Sequence, residues 1–156
     1  NLYEQANESI NLWAVGFGFL KYPLGSLPSH LQHVGVTYVP NDTCASQYSF
    51  YNFESESMFC AASPGKDACS GDSGGPLFDA KKNVVVGITS WGVGCAQENF
   101  SGVYSRVHKA FDWIKETICS DEEAIKPSFC YCSKTENRLS INVKGTKESD
   151  GKLIFK

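Results

Sequence analysis

The residues that could do chemistry lie between positions 65 and 77, where Ser73 sits in a run that reads Gly-Asp-Ser-Gly-Gly-Pro. Glycine tolerates backbone conformations that other residues avoid, so such a loop can present a serine hydroxyl outward. Gly71 has no side chain to block an approaching molecule. Its amide and the amide of Ser73 can therefore point at one developing oxyanion, as acyl transfer requires. The alternative is a glycine- and serine-rich turn without chemistry, which the length of the run disfavours.

Two carboxylates accompany the serine. Asp72 is its neighbour on a tight loop that we expect to be buried, and a buried carboxylate needs a cation. Asp67 lies a few residues upstream, tethered by Cys69. For Asp67 the alternative is a solvated loop residue.

The elements that must position these residues read mainly as strands. Short apolar runs broken by Gly, Pro, Asn and Asp are typical of antiparallel strands. Residues 12–20 form a candidate strand pair, residues 31–39 a second, and residues 102–107 a further strand. The turn at Lys82-Asn83 leads into a nearly continuous apolar strand over residues 84–91.

One segment changes period. Across residues 108–119, Phe111, Ile114 and Ile118 follow helical spacing, which predicts a single amphipathic terminal helix. The composition then becomes rich in Ser, Glu, Lys, Asn and Gly. We therefore predict that residues 120–156 form an irregular, partly disordered extension with room for a short hairpin.

Composition points to a secreted, extracellular protein. Seven cysteines are many for a cytosolic chain of 156 residues, and sequons for N-glycosylation occur at Asn7, Asn41 and Asn99. The odd cysteine count requires at least one thiol that is free or paired outside the chain. A formal charge of -3 without a basic block argues against nucleic acid, and no apolar run has the length of a membrane span. We predict neither a metal nor a cofactor.

The run from Gly71 to Pro76 resembles the active-site loop of the chymotrypsin family of serine peptidases, and of its trypsin-like members in particular. The similarity covers about residues 12–118. Further matching motifs are Ser90-Trp91-Gly92, Gly94-Cys95-Ala96-Gln97, Gly102-Val103-Tyr104 and Asp112-Trp113-Ile114.

This resemblance implies an all-β fold, namely the antiparallel six-stranded Greek-key-type barrel that is the second of the family's two barrels, with a terminal helix. It implies that Ser73 is the nucleophile and that Gly71 and Ser73 supply the oxyanion amides. Asp67 would form the floor of the specificity pocket, and Gly92 and Gly102 its open walls. Such a pocket accepts a long cationic side chain, so cleavage after Arg or Lys is expected.

The resemblance also implies which residues bind the substrate backbone, which residue takes part in activation of the peptidase and which cysteines pair. Ser90, Trp91 and Gly92 would pair with the substrate backbone, and Asp72 would bind the new amino terminus freed on activation. The implied disulfides are Cys44–Cys60 and Cys69–Cys95. Cys119, Cys130 and Cys132 have no counterpart; two could bridge within the extension while the third reaches an absent segment or partner. Phe17 stands where the family usually has tryptophan.

The catalytic histidine and aspartate of the family are not found by motif. His30, His33 and His108 are outside the family's histidine setting and are expected to be surface or structural residues. We therefore expect residues 1–119 to be an incomplete peptidase domain without its first barrel, followed by the extension at 120–156. The predicted function is a serine endopeptidase portion, nearly inactive alone, whose partners are basic protein substrates and the amino-terminal barrel of the same precursor. The alternative is a non-catalytic binding module that captures basic peptides.

Overall fold

Six antiparallel strands close into a barrel in the computed structural model, which describes residues 11–123, 125–131, 145–147 and 153–155. The ring order is β1-β2-β3-β6-β5-β4, so the predicted six-stranded antiparallel barrel is confirmed. The strands are β1 (Asn11–Gly16), β2 (Gln32–Val39), β3 (Met58–Ala62), β4 (Pro76–Asp79), β5 (Val84–Trp91) and β6 (Gly102–Arg106).

The barrel interior is filled by the inward-facing residues of these strands. Leu12 pairs with Val36 across β1 and β2, and Ala14 pairs with Leu77 across β1 and β4; all four are buried. Alternation along a strand sends every second side chain to the same face, which is why these positions converge. Burial of one such leucine contributes about 1.5–3 kcal/mol.

A helix that the sequence did not predict supports the barrel near β3. Helix α1 (Asn41–Gln47) is short and mostly polar, so it shows no apolar period. Cys44 of α1 forms a disulfide with Cys60 of β3, and Tyr48 follows the helix into a second buried cluster with Val103. A disulfide and one aromatic side chain therefore hold this helix in place.

Three expected elements were wrong. Residues 31–39 form one strand, β2 (Gln32–Val39), and not a strand pair. Residues 12–20 do not form a strand pair, because the chain leaves β1 at Gly16 and the amide of Phe19 bonds to the carbonyl of Ser70, 2.9 Å away. The terminal helix α2 spans Phe111–Ser120 rather than 108–119. A 3₁₀ turn at Val107–Lys109 comes first, closed by a 3.0 Å bond from the Ala110 amide to the Val107 carbonyl.

Part of the extension is fastened to α2. Cys119 of α2 forms a disulfide with Cys130, which lies in a 3₁₀ turn (Ser128–Cys130), and the ring of Phe129 meets Phe111 edge-on at 6.2 Å. This settles the pairing that the sequence left open for two cysteines, whereas Cys132 lies outside the described residues. Strands β7 (Gly145–Lys147) and β8 (Leu153–Phe155) pair antiparallel. Among the described residues, no helix has the length and apolarity to cross a membrane.

Candidate active site

The loop that carries Ser73 is shaped by short-range hydrogen bonds. The amide of Asp72 donates to the Cys69 carbonyl and the amide of Gly75 to the Asp72 carbonyl, each at 2.9 Å. Gly71 and Gly74 adopt φ of 102° and 79°, which a side chain would make unfavourable. The tight turn leaves Ser73 exposed at its tip.

Two amides beside Ser73 remain available. Within the described part of the chain, neither the amide of Gly71 nor that of Ser73 donates a hydrogen bond. The flanking amides of Asp72, Gly74 and Gly75 are all engaged. The loop therefore presents two free donors next to one hydroxyl, the arrangement that stabilises an oxyanion.

Two backbone amides hold the carboxylate of Asp72. Its Oδ1 accepts the Gly18 amide at 2.7 Å, and its Oδ2 accepts the Cys69 amide at 2.9 Å. A Cβ on Gly18 would come within 2.5 Å of the same carboxylate, and one on Gly16 would also overlap it. These two glycines thus permit the close approach that holds Asp72.

Asp67 lines a cavity of about 200 Å³ that Ser73 also borders. Its Oδ2 accepts the Ala96 amide at 3.0 Å, while its Oδ1 is buried and has no hydrogen-bond partner among the described residues. Tyr104 Oη and Thr89 Oγ1 are likewise buried and unpaired there. Burial raises the pKa of Asp67 to about 6, and it also raises the pKa of Tyr104. The cavity is therefore acidic, and its lining residues include polar groups whose hydrogen bonds are not satisfied within the described residues.

Two of the three glycines that line this cavity, Gly92 and Gly102, differ in what they allow. A Cβ on Gly102 would lie 2.5 Å from Asp67 Oδ1, so this position requires glycine. A Cβ on Gly92 would meet nothing closer than 3.7 Å, so glycine there keeps the mouth open rather than preventing a clash. The Cys69–Cys95 disulfide joins the segments that form opposite walls.

The end of β5 offers a backbone edge next to the cavity. Strand β4 pairs with β5 only as far as Ile88, and the register with β6 shifts between Thr89 and Trp91. Ser90 and Gly92 are exposed, while the Trp91 ring packs edge-on against Tyr48 at 4.8 Å. An extended peptide could add its backbone at such an edge.

The comparisons with known proteins agree with this geometry. The model of the family described as Trypsin matches residues 3–114 of the chain. The chain belongs to the trypsin family. It is 48% identical over 100 residues to Trypsin delta of Drosophila melanogaster, covering 64% of this chain and 39% of that protein. It is 46% identical over 104 residues to Trypsin Blo t 3 of Blomia tropicalis, covering 64% of this chain and 38% of that protein.

A solved member of the trypsin family shares the fold. Neuropsin, a serine protease expressed in the limbic system of mouse brain, superposes with a TM-score of 0.65 at 33% identity. The match covers 70% of this chain and 48% of neuropsin. The chain thus spans roughly two fifths of the curated trypsins named above and about half of this structure.

None of the three histidines forms a described hydrogen bond with Ser73, the serine of the trypsin-family motif. His30 bonds to Ser29 Oγ through Nδ1 at 2.9 Å, and the His33 ring meets Trp13 edge-on at 4.9 Å. His108 lies in the 3₁₀ turn before α2, where burial and the nearby Arg106 guanidinium lower its pKa. Within the described residues none of them hydrogen-bonds Ser73, so none is placed as its general base.

The sequence motifs did not single out two residues of this trypsin-family site, Ala96 and Tyr104. Ala96 holds Asp67 through its amide while adopting a φ of 54°, and no sequence signal marks that conformation for alanine. Tyr104 lines the acidic cavity, and its hydroxyl is buried without a hydrogen-bond partner among the described residues. It belongs to the Gly-Val-Tyr motif, so the signal was present but was assigned to the pocket wall in general.

A second cavity, of about 450 Å³, also borders Ser73 and is mainly apolar. Phe17 lines it and remains 52% exposed, so the described residues cover only half of this aromatic side chain. The other apolar residues of the lining are Val15, Leu31, Pro76, Phe78 and Val85. This trypsin-family barrel therefore presents an apolar recess beside Ser73.

Proposed function

We propose that the chain is the carboxyl-terminal barrel of a secreted serine endopeptidase that cleaves peptide bonds after Arg or Lys. One observation carries the proposal: the carboxylate of Asp67 and the hydroxyl of Ser73 border the same cavity. A basic side chain that pairs with Asp67 brings the carbonyl of its own residue to Ser73. Within this proposal residues 1–119 form the peptidase portion and residues 120–156 the extension.

The chemical steps divide between this chain and a second barrel. Ser73 Oγ attacks the scissile carbonyl, and the free amides of Gly71 and Ser73 bind the oxyanion that forms. The leaving amine takes a proton, and water then hydrolyses the acyl-serine. A histidine must move both protons and a carboxylate must orient it. We assign both to an amino-terminal barrel of the same precursor, which would pack against the apolar recess lined by Phe17 and Leu31.

Asp72 links activation to catalysis in this proposal. Two backbone amides already bind its carboxylate, and an ammonium group would add a full positive charge to the same site. Charge-assisted pairing would fix the turn from Cys69 to Gly75 and with it both oxyanion donors. The amino terminus freed by cleavage of the precursor is the proposed source of that ammonium.

The expected specificity follows from the environment of Asp67. A buried, unpaired charge costs about 2–5 kcal/mol when its partner is removed, so neutral side chains should bind poorly in this cavity. Substrate backbone would pair with residues 90–92 at the edge of β5.

The test compares the chain alone with the chain fused to a trypsin-family amino-terminal barrel that carries the histidine and aspartate. Both are treated with a fluorophosphonate probe and with tripeptide substrates that end in arginine or leucine. We expect probe labelling at Ser73 and arginine-selective turnover only in the fusion, and the isolated chain should be nearly inactive. Ser73→Ala is the control.

The same experiment separates the binding-module alternative. Arginine-peptide binding without labelling or turnover in a correctly folded fusion would favour a module that captures basic peptides without cutting them. Turnover of the leucine substrate at an equal rate would refute the role of Asp67.

A further inference from the structure

The loop between the two walls of the acidic cavity contains a sequon, Asn99-Phe100-Ser101. Asn99 is exposed, and a 3.2 Å bond from the Phe100 amide to the Gln97 carbonyl closes a turn around it. Within the described residues, no hydrogen bond involves the Asn99 carboxamide. An exposed asparagine at a turn can carry a glycan without disturbing the folded chain. The inference rests on the secreted location proposed above.

We infer that Asn99 carries an N-linked glycan. The donor is an oligosaccharide linked to a lipid pyrophosphate, which the secretory pathway supplies. A bond forms between Asn99 Nδ2 and C1 of the first N-acetylglucosamine, while the bond from C1 to the pyrophosphate oxygen breaks. The lipid pyrophosphate leaves, and one amide proton passes to a base of the transferase.

The glycan projects from the outside of the cavity wall. Gly94, Cys95 and Gly102 line the cavity, whereas the Asn99 side chain does not. A glycan at this position is therefore attached outside the lining that contains Asp67 and Ser73. It shields the loop whose Ala96 amide holds Asp67.

Transfer must precede folding of this loop. The transferase reads the hydroxyl residue of the sequon, and Ser101 is only 4% exposed in the folded chain. The Ser101 amide bonds to Gln47 Oε1 at 3.2 Å, and its carbonyl accepts the Tyr48 hydroxyl. These contacts hold the serine against the barrel and out of reach of an enzyme.

The other described sequon has a different environment. Asn41 Oδ1 accepts hydrogen bonds from Arg106 Nη2 at 2.8 Å and from the Tyr38 hydroxyl at 3.1 Å, and Arg106 is buried. A glycan on Asn41 must accommodate this hydrogen-bonded cluster, whereas one on Asn99 displaces no described contact. Because a glycan attached before folding must fit the folded chain, we expect the chains that fold and are secreted to carry it on Asn99.

The test expresses the full chain with a cleavable secretion leader in insect cells and maps its peptides by mass spectrometry. Deglycosylation with PNGase F in heavy-oxygen water should convert Asn99 into labelled aspartate. On a gel, Asn99→Gln and Ser101→Ala should each increase the mobility of the chain by the amount that corresponds to the loss of one glycan. Ser101→Thr should keep the glycan, and Asn41→Gln should leave the mobility unchanged. Because transfer precedes folding, a variant that folds poorly still reports on the site. An unmodified Asn99 peptide beside a glycosylated co-expressed reporter overturns the inference.

A second arm tests the order of events. Chain folded and oxidised without glycan is offered to microsomes that contain the lipid-linked donor, in parallel with reduced, unfolded chain. Transfer should occur to the unfolded chain alone. Equal transfer to both overturns the requirement for access to Ser101.

Discussion

The amide of Ala96 donates a 3.0 Å hydrogen bond to one carboxylate oxygen of Asp67 and leaves the other oxygen buried without a described partner. Asp67 is thus fixed in direction but incompletely satisfied. A folded protein that keeps such a group accepts a cost in stability in order to hold a binding site ready. Three predictions concern Asp67 and the cavity that it lines, and a fourth concerns the disulfide that holds the extension.

Asp67→Asn should stabilise the chain at neutral pH. Because burial raises the pKa of Asp67 from 3.8 to about 6, the folded state binds the proton more tightly than the unfolded state. Protonation of Asp67 therefore stabilises the folded state. This stabilisation is fully present below about pH 4 and is lost as the pH rises through 6. By pH 8 the free energy of unfolding that is lost on deprotonation of Asp67 is at most about 3 kcal/mol. Urea unfolding at several pH values measures it, with the exposed Asp112→Asn as control; equal pH profiles for the two variants would refute the prediction.

Binding of an amidinium ligand should follow ionisation of the same carboxylate. Every residue that lines the acidic cavity belongs to the described barrel, so we expect the isolated chain to bind benzamidine. Affinity should be constant above about pH 7 and fall about tenfold per unit below pH 6, because the protonated acid cannot pair with a cation. Calorimetric titration measures this profile. A pH-independent affinity between 5 and 8 would place the ligand away from Asp67.

Gly102→Ala should abolish amidinium binding and destabilise the barrel. The added methyl group would lie 2.5 Å from Asp67 Oδ1 and 3.2 Å from the Tyr104 ring, so the carboxylate must move. Overpacking of this kind costs about 1–3 kcal/mol. Gly92→Ala is the matched control, since its methyl group meets nothing within 3.7 Å and stability should change by less than about 0.5 kcal/mol. If both variants unfold at the same urea concentration, the close approach at Gly102 is not limiting.

Cys119→Ser should release the extension while leaving the barrel intact. The Cys119–Cys130 disulfide closes a short loop beside α2, and Phe129 adds one aromatic contact with Phe111. Without the disulfide, a glutamate-specific protease should cut faster after the exposed Glu123. Cys119 is the better position to change, because Cys132 could replace Cys130. An unchanged cleavage rate would show that packing alone holds this segment.

The sequence predicted the tight backbone turn around Ser73 well because the motif is contiguous. Every residue of the turn around Ser73 lies within seven positions, and its glycines mark the unusual backbone directly. The barrel was also predictable, since strand alternation and the family resemblance point to the same pairing.

Relationships between distant segments were less accessible. The Ala96–Asp67 bond joins residues 29 positions apart through a backbone amide, and any residue type except proline could supply it. Helix α1 escaped prediction because a disulfide and Tyr48 position it, rather than an apolar face of its own. Residues 17–31 contain enough apolar side chains to suggest strand, yet the Phe19–Ser70 bond draws the start of this segment into the loop system.

Pairing of β1 with β4 closes the barrel and thereby limits self-association of the protein. A sheet that closes on itself offers few unsatisfied backbone groups, so strand-by-strand polymerisation finds little template. The short uncovered stretch at residues 90–92 is an exception, and it is the same stretch assigned to substrate. Capture of a peptide and self-association would then compete for one edge, and an occupied cleft would help to keep concentrated solutions monodisperse.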